Sequence, residues 1–247
     1  MVSVYLERLT WVESERALAE IPTVLVPVGA ASKEHGPHLP NNTDWLVVNE
    51  LARRVALETD VIVAPTVGFG YYNAFVEFPG TIHVEATTFA DLVVQIASSL
   101  ARNGARRFFI LNNGLSTAYP LNIAAAELAD KRGIPTVVCH VGQLAQTAKQ
   151  EVVDNPLGSH ANELETSLVL AVAPETVRMD LAVADIQPWM YAPAAMVDRA
   201  PLTRTPSSIG KYCPTGVIGD PTRATAEKGE AILRAYTHEV VEFLRTW

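Results

Sequence analysis

Short β-branched runs alternating with helix-length amphipathic segments narrow the folds open to this chain more than any other feature. Residues 21–28 read IPTVLVPV, the pattern of a strand buried on both faces, and Gly29 ends the run. From Asp44 the segment DWLVVNELARRVALET sets Leu46, Val47, Leu51, Val55 and Leu57 close to helical spacing, with Arg53 and Arg54 outside. Residues 61–67 form a second apolar run, and residues 88–100 a further amphipathic helix stopped at Asn103-Gly104. The cycle repeats with a strand over 107–112, an alanine-rich helix over 121–131 ended by Gly133, and a strand over 134–140. A helix is expected from near His160 to Ala173, and a long one over 224–247. Strands joined by helical crossovers predict an α/β fold whose mainly parallel sheet is covered on both faces, read here as a single domain over residues 1–247. Residues 68–83, rich in aromatics and glycine, and residues 174–214, rich in proline, fall outside the pattern. Long irregular segments in a compact domain usually serve a site or an interface.

Charge and cysteine usage exclude several classes. The formal net charge is -8 with no cluster of Lys and Arg, so nothing resembles a phosphate-neutralising nucleic-acid surface. Cys139 and Cys213 form no CxxC pair, which argues against a disulfide framework and a zinc-thiolate site; Cys139 reads as a buried reduced thiol. The first residues carry acid and lack a basic start, unlike a signal peptide, and no uncharged apolar segment approaches the ~20 residues of a membrane span. The expectation is a cytoplasmic protein with no nucleic-acid or membrane partner, and the charge balance is compatible with a soluble enzyme acting on a small-molecule substrate.

In open parallel sheets, ligands bind beyond the carboxyl ends of the strands. The loop after the first strand, GAASKEHGPHLPNNTD, brings Glu34, His35, His38 and Asp44 into that region. Imidazole nitrogen and carboxylate oxygen suit zinc or manganese, and Gly36, Pro37 and Pro40 stiffen the loop. Asp44 also suits the first turn of its helix, with Thr43 as N-cap. Ser159 is the corresponding cap before the later helix, which would place His160 and Glu163 on one face and Glu165 elsewhere. Tyr71, Tyr72, Phe75 and Phe78 are candidates to wall a pocket or pack a subunit contact, and Trp189 to cover the site or an interface. Asp220, in a Gly-Asp-Pro turn, reads as structural.

The segment Pro27-Val28-Gly29 … Glu34-His35-Gly36-Pro37-His38-Leu39-Pro40 … Thr43-Asp44 resembles the signature loop of the creatininase (creatinine amidohydrolase) family. Phe78-Pro79-Gly80-Thr81-Ile82, His160-Ala161-Asn162-Glu163-Leu164-Glu165-Thr166-Ser167, and Gly216-Val217-Ile218-Gly219-Asp220-Pro221 with Lys228-Gly229 resemble its later elements in order. The resemblance implies a three-layer α/β/α sandwich, a homo-oligomer (commonly a hexamer), and one or two divalent ions, zinc or manganese. Metal-activated water would then attack a carbonyl and cleave a C–N bond in a cyclic amide, amide or formamide. Hydrolytic ring opening of a polyol-derived ketone, cleavage of a small peptide, and a catalytically silent ligand-binding relative are the alternatives.

Carried onto this sequence, the resemblance makes His35 and Asp44 metal ligands, with Glu34 the expected third through a one-residue bulge. Lys33 stands where the family places its ligand Glu. His160 and Glu165 become the catalytic pair; His38, Tyr72, Asn113, Ser116, Thr117 and Glu163 are expected to contact substrate. Where the family has NGH followed closely by Glu or Asn, this chain reads Asn113-Gly114-Leu115-Ser116-Thr117, and Leu115 cannot bind a metal. A single ion, a site completed by His38 or His83, and a metal-free centre all remain open at this point.

Overall fold

The computed structural model of the protein describes residues 4–154, 158–186 and 213–247. Five strands, β1 (Val4–Tyr5), β2 (Thr23–Val28), β3 (Ile62–Val63), β4 (Arg107–Asn112) and β5 (Thr136–His140), form one sheet in the order β1-β3-β2-β4-β5, with every pairing parallel. Its two faces follow from the alternation of side chains along each strand. Leu25, Phe109 and Leu111 enter one core with helices α2 (Thr43–Glu58), α6 (Glu163–Val172) and α7 (Ala226–Thr246). Val24, Val26, Phe108 and Ile110 enter the other with α1 (Trp11–Glu20), α3 (Ala86–Arg102) and α4 (Ala118–Arg132). The result is the expected α/β/α sandwich. A short helix, α5 (Gln146–Val152), and an antiparallel pair, β6 (Gly158–His160) with β7 (Ile218–Gly219), are the remaining α-helix and strands among the described residues. No described helix is long and apolar enough to cross a membrane.

Strand order fixes where a site can form. The chain leaves β2 toward β3 on one side and later returns to β4 on the other, so a switch point opens at the carboxyl ends of β2 and β4. These two strands run in register from Thr23↔Arg107 to Val28↔Asn112, which brings their following loops side by side.

Several local expectations change. Residues 61–67 form only a two-residue strand, plus a single bridge from Val67 to Val28. In α2 the buried stripe is Val48, Leu51, Ala52 and Val55, while Leu57 is 64% exposed. Nine residues of helix rotate Leu57 by half a turn from Val48, onto the solvent face. Thr43 is not the cap: Asn42 holds that position without a side-chain bond, and the Thr43 hydroxyl donates to Pro40 O at 2.8 Å. His160 does not begin a helix. It ends β6, and α6 starts only at Glu163, capped by Asn162, whose side chain accepts from Glu165 N. Trp189 lies outside the described residues.

Candidate active site

The loop between β2 and α2 is bound into the fold at several points. Lys33 N donates to Asn41 O, and Thr81 Oγ1 accepts from Glu34 N at 3.1 Å, so the Phe78–Ile82 element props the loop from below. Gly36 takes a left-handed conformation with φ +70°, which glycine adopts without steric cost. Gly216 has φ +72°, and a Cβ there would collide with the Glu34 carboxylate, so glycine at this position leaves room for that side chain. Three segments far apart in sequence thus converge on one small volume.

Within that volume lies an unusual density of buried ionisable groups: Lys33, Glu34, His35, His38, Asp44 and His160 are each at most 7% exposed. Such groups persist in a low-dielectric interior only when paired. Asp44, in the first turn of α2, divides its oxygens: Oδ1 lies 3.1 Å from His35 Nε2, and Oδ2 lies 2.7 Å from Lys33 Nζ. Burial alone would raise its pKa, but the neighbouring Lys33 ammonium, with His35 beside it, outweighs burial and holds the carboxyl well below the usual carboxylate range. The Lys33 contact is ionic rather than a well-aligned hydrogen bond, because Oδ2 has no directed donor. Lys33, which stands where the family places its ligand Glu, is thus paired with Asp44.

Glu34 instead faces His160. Its Oε2 is 3.0 Å from His160 Nε2, and its Oε1 accepts from Gly36 N. Burial would push Glu34 up, yet His160 and the Gly36 amide together keep its pKa below the ordinary value. On the other ring nitrogen, His160 Nδ1 lies 3.7 Å from Glu165 Oε2. Ala161, between strand and helix, has φ +49°, a strained value for a residue with a Cβ; its amide donates to Glu165 Oε2 at 2.6 Å. This corner turns His160 and Glu165 toward each other. The expectation that His160 shares a face with Glu163 is therefore overturned: Glu163 is fully buried against Lys228 Nζ of α7, at 2.5 Å.

The hydrogen bonds assign the histidine tautomers. His35 Nδ1 lies 2.9 Å from Lys33 O, an acceptor only, so a neutral His35 carries its lone pair on Nε2, facing Asp44 Oδ1. His160 Nε2 faces both Glu34 O and Glu34 Oε2, so its lone pair falls on Nδ1, facing Glu165. Two lone pairs each opposed to a carboxylate are an arrangement that a cation satisfies. One ligand atom from each of His35, His160 and Glu165 lies within 4.8 Å of the others, the single such group among the described residues. Nitrogen and carboxylate donors at these spacings fit a divalent ion such as zinc or manganese.

The remaining candidates surround this centre. Phe75 packs against His160 in a tilted arrangement with ring centroids 4.4 Å apart, and Tyr72 is buried with its hydroxyl unpartnered. His83 Nδ1 accepts from Tyr72 N at 2.9 Å and so positions Tyr72 rather than joining the donor group. His38 is buried, with Nε2 bonded to Thr166 Oγ1 at 2.8 Å; burial and the nearby His35 push its pKa down to about 4. Asn113 Nδ2 donates to Asp44 O at 3.2 Å, Ser116 is partly exposed, and the Thr117 hydroxyl donates to Asn112 Oδ1 at 2.7 Å. Leu115 points outward, 41% exposed. Cys139 is partly buried and Cys213 buried, both are free thiols, and burial pushes each up to about 12. Asp220 accepts from Thr222 N within its turn, as a structural residue should.

Comparison with known proteins agrees with this geometry. The chain is 30% identical to the creatinine amidohydrolase of Pseudomonas putida over 98% of this chain and 96% of that one. It is 27% identical to the 3-dehydro-scyllo-inosose hydrolase of Thermotoga maritima, over 98% of this chain and 83% of that one. A solved creatininase variant in a Zn-Zn form superposes with TM-score 0.81 at 28% identity, covering 100% of this chain and 98% of the other. Residues 7–244 match the family model for creatininase, creatinine amidohydrolase. The chain belongs to the creatininase family of hydrolases.

Proposed function

We propose that this protein is a hydrolase that cleaves a C–N bond of a small cyclic amide, amide or formamide at a centre holding one divalent ion. The observation that carries the reading is the pair of lone-pair faces, His35 Nε2 against Asp44 Oδ1 and His160 Nδ1 against Glu165, at the switch point of the sheet. His35, His160 and Asp44 would hold the ion, with Glu165 the further donor within reach. When bound, such an ion polarises a carbonyl and lowers the pKa of water. The chain's residues do the rest. Lys33 O accepts from His35 Nδ1, and the Glu34 carboxylate accepts from His160 Nε2, which fixes both rings, as partners behind metal-bound histidines commonly do. Glu34 is thus a positioning residue in this reading rather than a direct ligand.

Glu165, whose side chain is 26% exposed, is the most accessible of the four donors and is suited to carry the proton. In hydrolysis the water hydroxyl joins the carbonyl carbon, and the proton passes by way of Glu165 to the leaving nitrogen. Tyr72 and Phe75 wall the centre against bulk water. The relative named as a 3-dehydro-scyllo-inosose hydrolase supports a second substrate class, a cyclic polyol ketone in which attack on a carbonyl would break the adjoining ring C–C bond and the proton would pass to the leaving carbon. Self-association belongs to the same reading, supported by Tyr119 and Ile123, which lie exposed one helical turn apart on α4.

The test measures metal content and turnover on a panel of lactams, formamides and cyclic polyol ketones, with Glu165→Gln beside the wild type. The expected result is zinc or manganese in the wild type, turnover on one class, and a variant that keeps its metal while losing turnover. Wild-type protein that takes up no transition metal would sink the reading, and loss of metal in Glu165→Gln would make Glu165 a ligand.

A further inference from the structure

We infer that Lys33 is a tethered cation: its ammonium occupies the side of Asp44 that a second metal ion would need, limiting the centre to one ion. The inference rests on the one-ion centre proposed above. A carboxylate bridging two cations presents one oxygen to each. Asp44 does this here, with Oδ1 toward His35 Nε2 and Oδ2 2.7 Å from Lys33 Nζ. The two cation positions are therefore unlike. On the Oδ1 side stand imidazole nitrogens and carboxylates, which are metal donors.

On the Oδ2 side stand the ammonium and two aromatic rings, with Nζ 5.1 Å from the Phe75 centroid and 5.8 Å from that of Tyr72. Ring faces stabilise a cation without supplying a ligand atom. The adjoining β4–α4 loop supplies none either: Leu115 is exposed, and Thr117 is bonded to Asn112. A divalent ion there would gain one carboxylate oxygen and face a fixed positive charge. Lys33 itself, with a side chain only 5% exposed, has Asp44 as its one described charge partner and no exit to solvent. A related creatininase has a Zn-Zn form; in this chain the second of two charges is built into the polypeptide. Unlike an ion, it cannot be removed by a chelator or exchanged for another metal.

Equilibrium dialysis of the full chain against excess zinc or manganese, followed by elemental analysis, tests this directly. The wild type should saturate at about one equivalent per chain. The triple variant Lys33→Glu/Leu115→His/Thr117→Glu replaces the ammonium and adds donors at the two bare loop positions; it should saturate at about two. Circular dichroism establishes that the variant is folded. Two equivalents in the wild type would overturn the inference and leave the proposed hydrolytic centre standing. A folded triple variant that stays at one equivalent would overturn it as well. No bound metal in the wild type would instead remove the centre on which the inference rests.

Discussion

The loops that follow β2 and β4 leave adjacent parallel strands at the same edge of the sheet, yet they carry opposite chemistry. The β2–α2 connection delivers Lys33, Glu34, His35 and His38, with Asp44 in the next turn, all buried. The β4–α4 connection delivers an amide, two hydroxyls and an exposed leucine, and two of its polar groups are spent on support: Asn113 holds the Asp44 carbonyl, and Thr117 holds Asn112. A place at the switch point therefore does not by itself make a loop reactive. The first loop can bury so many ionisable groups because each meets a partner, and the second acts as its scaffold. A similar contrast divides two acids on α6. Glu165 turns to His160 at the centre, while Glu163, two residues earlier, is consumed by Lys228.

The largest expected effect breaks the first side of this comparison. Asp44→Asn removes the charge shared by His35 and Lys33. Metal content should fall below about 0.2 equivalents and turnover by at least about 100-fold, the upper end of what losing even an outer partner costs. Normal metal content in that variant would show that Asp44 does not hold the ion.

Lys228→Met tests the division on α6. It takes the cation from the buried Glu163 carboxylate, which keeps the Asp154 amide as a donor, and should cost about 3 kcal/mol, roughly 6–12 °C in Tm for a chain of this size, without loss of bound metal. Loss of metal with unchanged stability would return Glu163 to the site.

A smaller effect concerns pH. His38 ordinarily titrates near 6.5 but is pushed down to about 4 when folded, and Glu34 is also depressed from its ordinary 4.5. Below pH 6.5 the unfolded chain binds a proton at His38 that the native state refuses, so stability falls as pH drops toward 4, and Glu34 adds to the loss below that. Thermal melts between pH 7.5 and 4 should show this decline, and His38→Gln should flatten its upper part; an unchanged slope would assign the loss to other groups.

The smallest effects belong to the second loop. Thr117→Ala should destabilise by about 1 kcal/mol through the unmet Asn112 acceptor, and Leu115→Ala should leave turnover within about twofold. A large loss of turnover in Leu115→Ala would give the β4–α4 loop a direct part in the reaction.

Periodicity and turn chemistry are local properties, and what depends on them is legible in the residues themselves. The β-branched run of β2, the strand over Arg107–Asn112 and the glycine stop after α4 mark out the sandwich, and the crowded loop before Asp44 marks the region of the site. Where a local signal was ambiguous the reading slipped. A serine before His160 looked like a cap, but a strand pairing with β7, distant in the chain, claims those residues, and Asn162 caps the helix. Leu57 looked like core because its spacing was judged along the chain rather than around the helix axis. The charge pairing was beyond local reach. That Lys33 turns to Asp44 and Glu34 to His160, 126 residues away, is decided by which groups meet once the helices pack. The sequence alone determined the α/β architecture and the segment in which chemistry would lie, because repeating side-chain patterns suffice for both. Only the tertiary structure decided how that segment's charges are shared, because burial forces each ionisable group to find a partner and only the folded chain supplies the candidates.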